Sequence, residues 1–143
     1  MVATSPNGRF TAGAAAINGA QFERLDAIGK NLFAFFRQRA GLAEQCVHVH
    51  FGMSGRWAVF DVKEAPEPTP TTRLRLEDGE FVAHLSAMTV VHGGPELFAS
   101  KAKVLGSDPL RSDADPEALW ARVCRSKKCV GLCLPVGSKS VAL

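Results

Sequence analysis

Two glycine-framed segments hold the side chains whose types and spacing could do chemistry. Residues 29–31 read Gly-Lys-Asn between two strand-like runs, so the flexible ammonium of Lys30 can reach out from a turn. Residues 52–55 read Gly-Met-Ser-Gly directly after a β-branched run, so the long apolar side chain of Met53 projects from the end of a strand. On the residues alone, a solvated turn lysine and a core methionine are the alternatives at these two positions.

Histidines and cysteines supply the candidate metal ligands. His48 and His50 share one face of a predicted strand, where imidazoles two positions apart can bind one metal ion, but no carboxylate lies near them in the sequence. The alternative that we favour is a histidine ring that is packed or faces the sugar-phosphate backbone of a nucleic acid. The cysteines include no CxxC pair, so the sequence predicts no metal site. We expect reduced, buried or half-buried thiols at Cys46, Cys124, Cys129 and Cys133.

The composition excludes several classes of protein. The 143 residues are 46% hydrophobic and 22% charged, which suits one globular domain and excludes a disordered tail, a collagen-like repeat and a coiled coil. No apolar run approaches the roughly 18 residues of a membrane helix, and the first ten residues lack the layout of a secretory signal. We therefore expect a soluble, intracellular protein. The net charge of +3 permits a polyanionic partner without requiring one.

The elements that position these residues are mostly strands. Alternating residues from Ala20 and the apolar run 32–36 predict a hairpin, and the run suits a central strand because it is apolar on both faces. Two further strand-like runs flank the Gly-Met-Ser-Gly turn. The dipeptide Asp-Gly at residues 78–79 predicts a second hairpin with a two-residue turn, and its first strand places Arg73 and Arg75 on one face.

Helices are predicted only in the last third of the chain. Residues 96–105 are a short helix candidate, and Asp115 followed by Pro116 marks the start of a second helix that ends near Arg125. Residues 126–134 begin another helix that stays unfinished. Roughly six or seven strands followed by these helices predict a mainly β protein, a β-sandwich or barrel that carries the start of a helical appendage.

Three segments, in order and with similar spacing, resemble motifs of the formamidopyrimidine-DNA glycosylase/endonuclease VIII family of base-excision-repair enzymes. They are GKNLF at residues 29–33, HFGMSGRW at residues 50–57 and LGSDPL at residues 105–110, and the resemblance covers about residues 8–134. It implies that residues 1–112 form the β-sandwich domain of the family. Residues 113–143 would then be the truncated start of its helical, helix–two-turn–helix domain.

The resemblance also implies roles for individual residues at damaged double-stranded DNA. An enzyme that acts on a base must take that base out of the stack, and an apolar wedge offsets part of the cost. In the family, the methionine of the Gly-Met-Ser-Gly turn enters the vacated space, a role that falls to Met53 here. The turn lysine contacts phosphate near the lesion and takes part in strand cleavage, which makes Lys30 the candidate catalytic residue. The other candidate DNA contacts are Gly52, Ser54, Gly55, Arg56, His50, Arg73 and Arg75.

The first residues depart from the family's pattern. Family members begin Met-Pro-Glu, and the proline amine attacks the deoxyribose while the adjacent Glu is the acid/base, but this chain begins Met1, Val2, Ala3, Thr4. We expect the nucleophile, its Glu partner and the helix behind them to be missing, with the family pattern starting at about Asn7. Many full-length members carry zinc in a C-terminal finger that has no counterpart here, so we expect no cofactor in this chain.

These observations leave three hypotheses about function. The first is a DNA glycosylase with AP lyase activity on oxidised bases in duplex DNA, of which this chain is a fragment with little or no lyase activity of its own. The second is a non-catalytic DNA-binding remnant; Arg73 and Arg75 fit a phosphate track and a solvated edge equally. The third is an unstable partial gene product. We expect a monomer that binds no membrane, in a eukaryotic nucleus or organelle or in a bacterial cytoplasm.

Overall fold

The computed structural model describes residues 1–38, 43–105 and 108–127 of the chain. In chain order, its strands are β1 (Val2–Thr4), β2 (Gln21–Ile28), β3 (Asn31–Arg37), β4 (Gln45–His50), β5 (Arg56–Asp61), β6 (Leu74–Glu77), β7 (Phe81–Ser86) and β8 (Thr89–Gly93). The helices are α1 (Thr11–Ile17), α2 (Pro95–Leu105) and α3 (Pro116–Arg125). None of the described helices has the length and apolar character needed to cross a membrane.

The strands form two four-stranded sheets in which neighbouring strands are antiparallel. The first sheet has the order β1-β6-β7-β5, and the second has the order β2-β3-β4-β8. Each sheet contains one of the hairpins that the sequence predicted. Gly29 and Lys30 join β2 to β3, and the loop that begins at Asp78 joins β6 to β7. The mainly β, sandwich architecture predicted from the sequence is therefore confirmed.

Side chains from both sheets form one hydrophobic core between them. The second sheet contributes Phe36, Val47 and Val49, and the first contributes Leu74 and Leu85, all of them at most 1% exposed. The apolar inner faces of the two sheets thus bury each other, and this burial is the main favourable contribution to the folding of a sandwich.

The second sheet is also covered on its outer face, because α2 packs across it. Phe33 and Phe35 point to this face and meet the ring of Phe98 edge-on, with centroid distances of 5.0 and 5.6 Å. A strand that is buried on both faces has an unbroken apolar sequence. This explains why residues 32–36 are all apolar, and the burial of their phenylalanines confirms that these side chains belong to the core.

The helix α1 and the strand β1 before it were not predicted from the sequence. The residues of α1 are mostly alanine, which has the highest helix propensity, but two turns are too short to show an apolar period. The helix forms because Ala14 and Ile17 pack into the core together with Phe10. An added Cβ on Gly13 would lie 2.2 Å from the Phe10 ring, so the helix approaches this ring closely.

The second hairpin turn is longer than the two residues predicted. Asp78, Gly79 and Glu80 separate β6 from β7, and Gly79 has a φ of +101°. Asp78 Oδ1 accepts the backbone N–H groups of Phe81 at 2.9 Å and Glu80 at 3.1 Å, and these bonds lower the pKa of the carboxyl group. The aspartate side chain thus stabilises the longer turn.

Both helices predicted in the last third of the chain are present. Asp115 caps α3 as expected, because its Oδ1 accepts the N–H of Ala118 at 3.0 Å and Pro116 follows in the first turn. No residue of α3 is buried, and Trp120 is 66% exposed. The helix expected over residues 126–134 lies almost entirely outside the described residues.

The cysteines follow the expectation only in part. Cys46 is buried in β4, and burial raises the pKa of its thiol to about 11. Cys124 is exposed, which corrects the expectation of a buried or half-buried thiol, because α3 buries none of its side chains against the described sandwich. Cys129 and Cys133 lie outside the described residues.

Candidate nucleic-acid interface

Three turns meet at one end of the second sheet. Asn31 on β3 pairs with His50 on β4, and His50 pairs with Thr89 on β8. The Gly-Lys turn before β3, the segment 51–55 after β4 and the turn at residues 87–88 before β8 therefore lie at the same end of the sheet. The register of the strands thus brings together two motifs that are far apart in the sequence.

Met53 stands at the tip of the segment between β4 and β5. Its side chain is 99% exposed, which excludes the alternative of a core methionine. The neighbouring glycines have steric reasons within the protein, because an added Cβ on Gly52, at φ +70°, would lie 2.9 Å from the Cε of Met88. A Cβ on Gly55 would lie 2.3 Å from the carbonyl oxygen of Phe51, so the segment folds tightly back on itself. The glycine frame therefore holds an apolar side chain in solvent.

Lys30 occupies a turn whose backbone is held from two sides. Gly29 adopts the left-handed conformation, with φ +56°, and donates its N–H to Asp108 Oδ2 at 2.7 Å. Asn31 spans the turn, since its Nδ2 donates to the carbonyl oxygen of Ile28 at 3.3 Å. Among the described residues, no carboxylate forms an ion pair with the Lys30 ammonium. The turn is thus rigid at its backbone and presents an uncompensated positive charge.

His48 packs against the core. Its ring stacks on Phe33 at a centroid distance of 4.9 Å, and its Nε2 lies 2.8 Å from Asn31 Oδ1. Burial lowers the pKa of the imidazole, and the charges of Lys101 and His50 lower it further, so the neutral ring donates from Nε2. His50, the last residue of β4, is only half-buried and lies beside the exposed methionine segment. In the part of the chain that the structure describes, no three His, Cys, Asp or Glu side chains are grouped so as to hold a metal ion.

The three arginines named as candidate DNA contacts have different surroundings. Arg56 begins β5 directly after the exposed methionine segment and pairs with the last residue of β7. Arg73 donates its backbone N–H to the carbonyl oxygen of Leu85 at 2.8 Å, which places it on the other side of β7 at the same end of the sheet. Arg75 forms an ion pair with Glu77 at 2.5 Å, so its charge is already compensated. The structure brings Arg56 and Arg73, but not a free Arg75 cation, to the end that carries the methionine.

Sequence reasoning gave no role to two residues that contact the β2–β3 hairpin, Asp108 and Arg111. Arg111 donates to the carboxylate of Asp26 and to the carbonyl oxygen of Ala27, the latter at 2.8 Å, and it pairs with Asp113 at 2.7 Å. The hydrogen bonds to Asp113 and Asp26 raise the pKa of the guanidinium above its ordinary value. These contacts to the hairpin join residues 79 to 85 positions apart, so no local pattern could have signalled them.

The chain matches the model of one known protein family. The family model described as the formamidopyrimidine-DNA glycosylase N-terminal domain matches residues 2–88, more than half of the chain. The chain therefore belongs to this family, as the sequence motifs indicated. The match includes β1 and α1, which corrects the expectation that the family pattern starts at about Asn7.

Curated relatives support the same family. Proteins named Endonuclease 8 1 from Mycobacterium tuberculosis and from Mycobacterium bovis are each 36% identical to this chain over 135 residues. The alignment covers 92% of this chain and 48% of each relative. The chain thus spans about half the length of the curated relatives it matches.

Solved structures share the fold. A structure of MutM in complex with carbocyclic 8-oxo-G containing DNA superposes with a TM-score of 0.71 at 14% identity, covering 96% of this chain and 54% of that one. The Lactococcus lactis Fpg in complex with an abasic site containing DNA superposes with a TM-score of 0.70 at 14% identity, covering 96% and 53%. At these identities the likeness concerns the fold, and it agrees with the sandwich of two antiparallel sheets described above.

Proposed function

We propose that this chain is the β-sandwich part of a DNA glycosylase with AP lyase activity, acting on oxidised bases in duplex DNA. The observation that carries the proposal is a fully exposed Met53 at the same end of the second sheet as the Lys30 turn. The family of the chain and the relatives named as endonucleases support it. The DNA-bound state of the MutM and Fpg structures with this fold supports DNA as the partner.

Met53 is the proposed wedge that replaces a flipped nucleotide. Burying a methionine side chain is worth about 1.5–3 kcal/mol relative to leaving it exposed. Extruding a nucleotide from the duplex costs a few kcal/mol of unstacking. Because the two quantities are of the same size, inserting Met53 into the vacated space offsets much of the cost of base flipping.

The cations around the methionine segment are the proposed phosphate contacts. Lys30, Arg56 and Arg73 lie at this end of the sandwich, with His50 between the Lys30 turn and the methionine segment. Each neutralised phosphate contributes about 0.9 to the slope of log affinity against log salt, so three contacts give a slope of about −3. Arg75 is excluded from this set because Glu77 already neutralises it.

Binding without lyase chemistry is our second candidate. Met53, Arg56 and Arg73 lie at one end of the sandwich, and contacts of these side chains with DNA require no reactive amine.

A binding experiment tests the wedge. The full chain is titrated with a duplex that contains a tetrahydrofuran abasic-site analogue and with the intact duplex of the same sequence. Met53→Ala should weaken binding to the abasic duplex about tenfold or more, because the lost burial of about 1.5 kcal/mol corresponds to roughly that factor. Binding to the intact duplex should stay within about twofold, since no base leaves the stack there.

Val104→Ala is the matched control for this experiment. Val104 is another apolar side chain in solvent, 85% exposed on α2, and its truncation should leave both affinities unchanged. An equal loss of affinity for the two duplexes in Met53→Ala, or no loss at all, would contradict the wedge.

Borohydride reduction tests for lyase chemistry, because it traps an imine between a protein amine and the aldehyde of an abasic site. A covalent adduct formed by the wild-type polypeptide would support lyase chemistry, whereas binding to the abasic duplex without an adduct would favour the second candidate. An adduct that disappears in Lys30→Ala would assign the reactive amine to this lysine and reject binding without chemistry. A cooperative thermal transition of the soluble monomer would reject the hypothesis of an unstable partial product.

A further inference from the structure

The segment that begins at Asp108 contacts the turn that presents Lys30. We propose that Asp108 is a positioning residue for Lys30: its carboxylate fixes the Gly29–Lys30 turn in the conformation that directs the ammonium toward a DNA phosphate. The inference rests on the proposed function, because it requires Lys30 to contact phosphate. It assigns a role to a residue that lies 79 positions from the turn it holds.

Both carboxylate oxygens of Asp108 accept hydrogen bonds, one from the turn and one from its own segment. Its Oδ2 accepts the N–H of Gly29 at 2.7 Å, and its Oδ1 accepts the N–H of Leu110 at 3.0 Å. A hydrogen bond from a backbone N–H to a carboxylate is charge-assisted and roughly twice as strong as a neutral one. The torsion angles of Gly29, with φ at +56°, set the direction in which the next residue leaves the turn. Asp108 therefore controls the backbone directly before Lys30.

The other side of the turn has a separate anchor. Asn31 Nδ2 donates to the carbonyl oxygen of Ile28 at 3.3 Å, and Asn31 Oδ1 accepts from His48 Nε2 at 2.8 Å. His48 is buried and stacks on Phe33, so this anchor is fixed to the hydrophobic core. Since the β3 side is already rigid, Asp108 is the contact on which the Gly29 side depends.

Arg111 holds Asp108 in place. Its guanidinium donates to the carboxylate of Asp26 and to the carbonyl oxygen of Ala27, the latter at 2.8 Å. The segment that carries Asp108 is thus attached to β2 next to the turn as well as to the turn itself. A displacement of this segment would act directly on the backbone of the Lys30 turn.

A double-mutant cycle in the full chain tests whether Asp108 acts through Lys30. The dissociation constant for the abasic-site duplex is measured at one salt concentration for the wild type, Asp108→Ala, Lys30→Ala and the double variant. We expect Asp108→Ala to weaken binding about three- to tenfold and Lys30→Ala to weaken it at least as much. The double variant should bind like Lys30→Ala, because removing the lysine leaves the carboxylate nothing to position.

Two further variants separate positioning from charge. Asp113→Ala removes the same charge from the same segment, but Asp113 hydrogen-bonds Arg111 and not the turn, so affinity should not fall. Asp108→Asn keeps an acceptor oxygen for the Gly29 N–H and should retain most of the affinity. Independent, additive losses from Asp108→Ala and Lys30→Ala, or equal losses from Asp108→Ala and Asp113→Ala, would overturn the inference.

Hydrogen exchange at the Gly29 amide tests the contact without DNA. In Asp108→Ala this amide should exchange about tenfold faster than in the wild type, while the buried Phe35 amide in β3 keeps its rate and shows that the fold is intact. Unchanged exchange at Gly29 would overturn the inference. A wild-type chain that binds neither duplex would overturn the proposed function and with it the phosphate role of the turn, while the exchange rates still decide whether Asp108 holds the turn.

Discussion

Gly55→Ala tests whether the glycine frame is what displays Met53. The added methyl carbon would lie 2.3 Å from the carbonyl oxygen of Phe51 and 2.6 Å from its Cα. Both are backbone atoms, which cannot change rotamer to make room, so the segment must open. Overpacking of this kind costs about 1–3 kcal/mol. We expect the free energy of unfolding to fall by about this amount, as measured by urea denaturation.

The same substitution should weaken binding to the abasic-site duplex as much as Met53→Ala does, because opening the segment displaces its tip. Gly79→Ala is the matched control. Gly79 has a φ of +101° with no atom within 4 Å of an added Cβ, and its turn lies at the other end of the first sheet. The strained backbone should lower stability by about 1 kcal/mol without affecting binding. A Gly55→Ala chain that binds the abasic duplex like the wild type would refute the role of the glycine frame.

Three further predictions concern the core and the thiols. Burial lowers the pKa of His48 in the folded state, so protonation favours the unfolded chain. The free energy of unfolding, measured by urea denaturation, should therefore decrease as the pH falls below about 6.5. This decrease should be smaller in His48→Gln. Gly13→Ala should destabilise the chain by about 1–3 kcal/mol, because the new Cβ would lie 2.2 Å from the Phe10 ring. In a Phe10→Leu background, which lacks those ring atoms, Gly13→Ala should cost less or stabilise through helix propensity, as thermal melts would show. Iodoacetamide at about pH 8 should label the exposed Cys124 and leave Cys46 unmodified in the native protein, as read by mass spectrometry, because burial raises the pKa of Cys46 to about 11.

Features that depend on a few neighbouring residues were predictable from the sequence. Glycine-containing turns indicate hairpins, and Asp115 before a proline indicates a helix start, because each acts on backbone groups within a few positions. The pairing of Arg75 with Glu77 was also within reach, since residues two apart on a strand share a face. The helix α1 was not, because its two turns are stable only through packing against the core.

The amino-acid sequence by itself determined the family of this chain and its mainly β architecture, because motifs and turn chemistry act over short stretches of chain. Only the tertiary structure decided that the Lys30 turn and Met53 share one end of a sheet, since this follows from the register between β3 and β4. The same holds for the hydrogen bond from Gly29 to Asp108. Two residues 79 positions apart meet only after the second sheet and α2 have packed, because burial of their apolar side chains, and no local preference, brings the two segments together.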